Sequence, residues 1–250
     1  MTLKNKTVLY QVENSVARIT MNRPEVKNAI NKEMHEELYE AFQAARHDQS
    51  VRVIILTGTD GSFSSGADIK SIPIQELDSF DHGDYLEETY NQLLLLIDEI
   101  EKPIVAYING TAVGAGLSLA LACDFRYAEH DAKIALSFIQ IGLTPDAGSS
   151  YFLPRLIGLG KALELSLGET ITAEEALRIG LINQIGVPDE FIKKLTSVPL
   201  TAYSWMKHNM KAGMHLSLRE VLDLEVEGQR ASGMSNFHRK AVMQFVSGQK

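Results

Sequence analysis

The segment IQIGLTPDAGSSYFLPR, residues 139–155, holds one carboxylate, Asp146, between a proline and a run of small residues, with apolar residues on both sides. Burial among Phe138, Ile141, Leu143 and Phe152 would penalise the anion and raise the Asp146 pKa into the range where a group both takes and returns a proton. Asp is also a favoured N-cap, and residues 147–150 read as a helix start whose positive end favours a carboxylate. A tight cap would lower the pKa and oppose proton shuttling, so the two readings make opposite demands. Two further segments have a backbone suited to chemistry: SFSSGADIK, residues 62–70, and INGTAVGAG, residues 108–116. Each follows an apolar strand and leads toward a helix, so its small residues can leave N–H groups open to an oxyanion or a phosphate. Glycines that only permit tight turns and close helix packing would leave the same pattern.

Strands and helices must hold these three segments in place. TVLYQV and VARITM alternate in polarity and are joined by the turn-like ENS, which predicts a β-hairpin between Thr7 and Met21. Asn31 is placed to cap a helix with Met34, Leu38, Phe42 and Ala45 at helical spacing. VRVIILTG and KPIVAYING read as buried strands, with a helix near Tyr85 to Ile100 between them. TAVGAGLSLALACD then runs from a small-residue turn into a helix, and DFRYAEHDAKIAL reads as short strands. Strand, loop and helix in repeated order predict an α/β fold with parallel strands, whose ligands bind where loops open at strand carboxyl ends. After Gly158 the pattern becomes helical, through KALELSLG, TAEEALRIG, SWMKHNMKAG and LREVLDLEVEGQRASG. The expected division is an α/β core over residues 1–195 and a helical part over 196–250 that packs back or makes subunit contacts.

The chain has 250 residues, 45% of them hydrophobic, enough for a sizeable core. Its net charge of −8 and its lack of a basic tract argue against nucleic acid as a partner. No 18-residue apolar run and no signal-type N-terminus occur, so no membrane association is expected and the location reads as cytoplasmic. The single cysteine, Cys123, lies in LALACDF and reads as a buried small hydrophobe. The histidines have no ligand spacing, His35, His47 and His82 read as solvated, and no metal is called for.

ITMNRPEVKNAIN, SFSSGADIK, KPIVAYINGTAVGAGLSLALACDFRYA and IGLTPDAGSSYFLPRLIG occur in that order. Together with ITAEEALRIGLINQI they resemble the enoyl-CoA hydratase/isomerase family, the crotonase superfamily, over nearly the whole chain. The resemblance implies a spiral of β-β-α units, a C-terminal helical part that trimerises, and trimers or hexamers built as dimers of trimers. It implies acyl-CoA thioester substrates and no separate cofactor, coenzyme A being carried as part of the substrate. By position, the family's oxyanion hole falls on the backbone N–H groups of Ala67 and Ala115, between Gly114 and Gly116. Lys27 and Ala29 match the segment that contacts the nucleotide part of coenzyme A; Ser65, Gly66, Asp68 and Ile69 match its path. Lys27 equally reads as an ordinary solvated lysine, and Asp68 as a residue that orders its loop.

Hydratases of this family handle water with two glutamates, and the matching positions here hold Ser118 and Phe138. Neither can exchange a proton with water as a carboxylate does. The remaining carboxylate is Asp146, in a segment similar to that of ring-opening 1,2-epoxyphenylacetyl-CoA isomerases and related enoyl-CoA isomerases. The resemblance therefore favours an acyl-CoA isomerase with Asp146 as acid/base. A hydratase or other acyl-CoA lyase or hydrolase is one alternative, and a catalytically silent acyl-CoA-binding protein is another. Asp124 reads as structural, and Glu87 and Glu88 fall in a stretch that varies in the family and lines the acyl pocket.

Overall fold

The computed structural model describes residues 3–4, 7–71 and 79–248. The chain divides into two compact units, Met1–Ile192 and Lys193–Lys250.

The first unit begins with a short strand β1 (Leu3–Lys4) paired to the hairpin of β2 (Val8–Glu13) and β3 (Val16–Met21). The hairpin turns at Asn14 and Ser15, both with positive φ, as a two-residue turn matched to strand twist requires. Helix α1 (Lys32–His47) starts where expected: the Asn31 side chain accepts a hydrogen bond from the Met34 N–H at 3.0 Å. Its buried face holds Met34, Leu38, Phe42 and Ala45, and also His35, which is 3% exposed. His35 is thus a core residue and not a solvated one; His47 and His82 are exposed, as expected.

Three strand pairs then repeat one plan. β4 (Val53–Gly58), β6 (Ile104–Ile108) and β8 (Phe125–Ala128) lie side by side and parallel in a seven-stranded sheet that ends on β11 (Gln184–Ile185), in the order β1-β2-β3-β4-β6-β8-β11. Their partners β5 (Ser62–Ser64), β7 (Thr111–Val113) and β9 (Lys133–Ala135) lie parallel in a four-stranded sheet that begins with β10 (Ile171–Thr172), in the order β10-β9-β7-β5. Helices follow each pair: α2 (His82–Glu88) and α3 (Tyr90–Glu99), then α4 (Ala115–Ala122), then α5 (Ser149–Ile157) and α6 (Leu159–Leu165). This is the expected spiral of β-β-α units. β4 is buried at every position because it is central and covered on both faces, which explains its continuous apolar run. The helix expected from Tyr85 to Ile100 is two helices broken at Thr89, whose φ of −122° and ψ of −84° are not helical. The strands β10 (Ile171–Thr172) and β11 (Gln184–Ile185), flanking α7 (Ala173–Arg178), complete the sheets within a stretch that reads as helical in sequence.

Asp124 is structural as expected, accepting from the Ile104 N–H at 2.9 Å, and Cys123 is buried, its thiol 3.5 Å from the Leu119 carbonyl oxygen. Helix α8 (Asp189–Ser197) crosses the boundary between the units. The second unit consists of α9 (Leu200–Ala212), α10 (Leu218–Gly233) and α11 (Asn236–Val246). α10 opens on a capping box between Ser217 and Glu220, and its Gly228 lets the helix approach Trp205 closely. Met243, Phe245 and Val246 on α11 are largely exposed. No helix of the described residues is long and apolar enough to cross a membrane.

Candidate active site

The two small-residue turns leave the same end of adjacent parallel strands. Ser62 and Ser64 of β5 pair with Thr111 and Ala112 of β7, so residues 65–68 and 114–116 emerge side by side. Their approach is closer than any side chain permits. A Cβ on Gly66 would lie 2.8 Å from the Val113 carbonyl oxygen and 3.5 Å from the Ala115 nitrogen. One on Gly116 would lie 2.7 Å from both Cβ and O of Ser64. Gly66 also has a φ of +96° and Gly114 one of +53°, values that side chains oppose. These glycines therefore set a close approach of two backbones, beyond easing each turn.

A polar network behind the first turn fixes it. Asn28, fully buried with φ of +57°, donates to the carbonyls of Thr59 and Ser62 at 3.1 and 2.7 Å and accepts from the Arg23 N–H at 2.8 Å. The Ser64 hydroxyl donates to the Asn28 carbonyl at 2.7 Å and accepts from the Gly66 N–H at 3.2 Å. Ser65 ties back to residues 26–27, its N–H donating to the Lys27 carbonyl at 2.9 Å and its hydroxyl to the Val26 carbonyl at 3.0 Å. Arg23 reaches the Asp68 carboxylate and the Ala29 carbonyl, at 2.8 and 2.7 Å. Asp68 therefore orders its loop, through Arg23. An isolated parallel bridge joins Ile30 to Ala67, with the Ile30 N–H donating to the Gly66 carbonyl and the Asp68 N–H to the Ile30 carbonyl. The Ala67 N–H faces away from that bridge, and Ala115 is the first residue of α4, where N–H groups have no partner in the helix. Among the described residues neither N–H has an acceptor.

Of the residues expected along a coenzyme A path, Ser65 and Gly66 sit in this turn. Ala29 is buried, whereas Lys27 is exposed and left-handed with φ of +52°. Ile69 is exposed on the far side of Asp68. Glu87 and Glu88 are exposed, at the end of α2.

The third segment joins the second turn through Ser118. Its hydroxyl lies 3.2 Å from both the Gly114 and the Asp146 carbonyl oxygens, fastening the Asp146 segment to the base of the Ala115 turn. Phe138 is buried and approaches Gly114. The Asp146 carboxylate caps no helix: α5 starts at Ser149, its N-cap is Gly148, and no side chain caps it. What Asp146 contributes to that helix start is its carbonyl, which accepts from the Ser149 N–H at 3.0 Å and the Ser149 hydroxyl at 2.7 Å. Ala147 follows with a φ of +49°, a conformation that costs a non-glycine residue about 1 kcal/mol.

The carboxylate points into an apolar setting, and its Oδ1 is sealed from solvent with no hydrogen-bond partner. Burial raises its pKa from the usual carboxylate range to about 6. Ile141 takes no part in that burial as sequence suggested, being 57% exposed. Beside it, a Cβ on Gly148 would meet Phe152 Cε2 of α5 at 2.9 Å and Leu94 Cδ1 of α3 at 3.3 Å, and Tyr90 lies one turn before Leu94 on the same face. Tyr90 Oη is also sealed and unpartnered, and burial, with Tyr85 and Asp146 next in weight, pushes its pKa well up. The His35 ring stands edge-on to Tyr90 at 4.0 Å and to Tyr85 at 6.0 Å. Burial lowers the His35 pKa to about 3, so this ring is neutral at physiological pH.

Two backbone N–H groups without acceptors and a partly buried carboxylate, joined through Ser118, thus gather near the end of the small sheet. The model of the enoyl-CoA hydratase/isomerase family matches residues 11–250. The chain is 33% identical to the 1,2-epoxyphenylacetyl-CoA isomerase of Escherichia coli K12, an alignment covering 96% of this chain and 95% of that protein. It is 32% identical to the crotonyl-CoA hydratase of Syntrophomonas wolfei, over 97% and 98% of the two chains. The crystal structure of an enoyl-CoA hydratase/isomerase from Cupriavidus metallidurans superposes with a TM-score of 0.89 at 27% identity, covering 99% of this chain and 96% of that one. The chain belongs to the enoyl-CoA hydratase/isomerase family. Its relatives include both isomerases and hydratases by name.

Proposed function

We propose that the protein is an acyl-CoA isomerase in which Asp146 moves a proton along the acyl chain while the N–H groups of Ala67 and Ala115 hold the thioester oxygen. The observation that carries this reading is the Asp146 carboxylate: half-buried, uncapped, with a pKa of about 6 and fastened by Ser118 to the Ala115 turn. The anion removes a proton from the carbon next to the thioester, and the electron pair moves onto the carbonyl oxygen. Two preorganised N–H donors stabilise that charge by about 3 kcal/mol each. For a 3-enoyl thioester the double bond shifts toward the thioester as protonated Asp146 returns the proton two carbons along. Asp146 ends as it began, so one carboxylate suffices. The same enolate-type stabilisation serves an epoxide-to-oxepin rearrangement.

A hydratase reading draws on relatives of that name. It needs groups that handle water, and the positions where the family's hydratases carry glutamates hold Ser118, committed to two carbonyls, and buried Phe138. Incubation with a 3-enoyl-CoA and with crotonyl-CoA separates the readings: 2-enoyl product from the first supports isomerisation, and rapid hydroxyacyl product from the second overturns it. Coenzyme A enters as part of the substrate, with Lys27, Ala29, Ser65, Gly66, Asp68 and Ile69 along its path, and no further cofactor is assigned. The exposed apolar residues of α11 suit subunit contacts in a trimer or hexamer, which light scattering of the purified protein tests directly.

A further inference from the structure

A buried polar atom without a partner is costly enough that most native groups find one. His35 keeps two: both ring nitrogens are sealed and unpartnered, in a side chain only 3% exposed. Its ring sits where α1 meets α2 and α3, 4.0 Å from the Tyr90 ring and 6.0 Å from the Tyr85 ring, edge-on to both. A neutral imidazole tolerates this place better than an imidazolium, which adds a second N–H donor with nothing to receive it. The start of α1, the positive end of the helix, opposes the cation further. The backbone joins His35 to the site. Its N–H donates to the Asn31 carbonyl at 3.1 Å, and the Asn31 side chain caps α1 at the Met34 N–H. Ile30, the residue before that cap, is bridged to Ala67 by its bonds to Gly66 and Asp68, at 2.8 and 2.9 Å.

We propose that His35 is an acid-sensitive latch: on taking up a proton its ring leaves the junction of α1 with α2 and α3, and the start of α1 then releases the Ala67 turn through Asn31 and Ile30. The groups around the ring hold no cation in place. Tyr90 from α3 and Tyr85 from α2 are phenols kept neutral by burial. Behind them, Asp68 is already paired with Arg23, and Asp146 takes a proton itself below about pH 6. Tyr10, the buried titratable group of β2, is influenced by Asp48 at the far end of α1, and the buried residues of β3 are Ala17, Ile19 and Met21. On α1, Lys32, Glu33 and Glu36 are exposed and Glu37 is bonded to Thr7 and Val8; on α2, His82, Asp84, Glu87 and Glu88 are exposed. Burial holds the His35 pKa at about 3, below its ordinary 6.5, so the closed junction is fully favoured above pH 6.5 and loses stability as pH falls toward 3. The effect on turnover rests on Ala67 as an oxyanion donor; the opening itself does not.

Amide hydrogen exchange of the full-length protein reads the latch without turnover. Asp146 titrates in the same range with the opposite sign, so wild type is compared with variants that keep it: His35→Phe, which retains a ring, and His35→Gln, which retains a polar side chain. Between pH 7 and pH 5, relative to either variant, wild-type protection of the Ile30, His35 and Asp68 amides falls by roughly 25-fold, the gain of an open state that binds the proton at an ordinary pKa. Proton NMR of wild type shows the ring still neutral at pH 5 in the closed state. A His35 ring that titrates near pH 6.5 in the folded protein overturns the inference, whether or not either variant folds. So does protection of Ile30 and Asp68 that follows pH equally in wild type and variants. Loss of protection confined to wild type, in a protein whose Asp146→Asn variant remains fully active, supports the latch and overturns the catalytic reading instead.

Discussion

Two aspartates stand within the same site, and their surroundings differ in one respect. Asp68 is met by Arg23 at 2.8 Å, with both side chains largely buried; among the described residues Asp146 is met by no cation and leaves one oxygen unpartnered. The Asp68 turn is built to be rigid: Asn28, Ser64, Ser65 and Arg23 occupy its carbonyls and amides, sparing the Ala67 N–H. The Asp146 turn lacks such fastening of its carboxylate: a left-handed alanine stands beside a carboxylate whose burial favours the protonated form. A carboxylate paired to an arginine orders a loop, and a carboxylate denied any pair is free to exchange a proton. Chemical type is the same in both; only the partner assigns the role.

The largest effect on this contrast comes from Asp146→Asn. Loss of a positioned acid/base residue lowers turnover by about 1,000-fold, while binding of an unreactive acyl-CoA analogue by calorimetry stays within a few-fold. Undiminished turnover by that variant would break the distinction between the two aspartates. Gly66→Ala comes next. Its Cβ meets the Val113 carbonyl at 2.8 Å and its φ is +96°, so the two turns are forced apart; kcat drops by about 100-fold, with stability lower by about 2 kcal/mol in urea titration. Arg23→Gln leaves Asp68 buried and unpaired, which costs about 2 kcal/mol, read from the urea midpoint. If the midpoint held, Asp68 would be no better fixed than Asp146.

The pH dependence sharpens the comparison further. The folded-state pKa of Asp146, about 6, lies above its ordinary value of 3.8. The folded protein therefore binds this proton more tightly than the unfolded chain, so the stability that Asp146 contributes is fully present below pH 4 and is lost as pH rises through about 6. Asp146→Asn removes that loss: the variant is more stable than wild type by about 1–3 kcal/mol at pH 8, and the difference vanishes near pH 3.5. Equal stability at both pH values would show the carboxylate to be solvated. Ser118→Ala gives the smallest effect, about 1 kcal/mol in stability with a modest fall in kcat, since the hydroxyl only fastens the Asp146 segment to Gly114.

Much of this site was legible in residue order. The glycine and alanine turns announced themselves by composition, and the apolar frame of Asp146 announced a raised pKa. The convergence of the turns was not legible, because it depends on Ser62 pairing with Thr111, residues 49 positions apart. Nor was the role of Asn28: an asparagine beside lysine reads as a turn residue, and its partners are Arg23 and, more than thirty positions away, Thr59, Ser62 and Ser64. The cap reading of Asp146 failed because Ala147 and Gly148 both turn left-handed, so the helix starts two residues beyond the reach expected of the side chain. His35 did carry a signal, standing three residues before Leu38 and seven before Phe42 on the buried face of α1; its polar type masked its position.

The small sheet that bears the site has a consequence for how the protein matures. β5, β7 and β9 are three residues each, too short to hold together before the large sheet has brought their neighbours into line. Parallel pairing between distant segments forms slowly during folding. The two small-residue turns are therefore brought together only once the successive β-β-α units have closed upon one another. Recovery of turnover during refolding then lags behind recovery of helix signal, and the lag times the closure of this sheet.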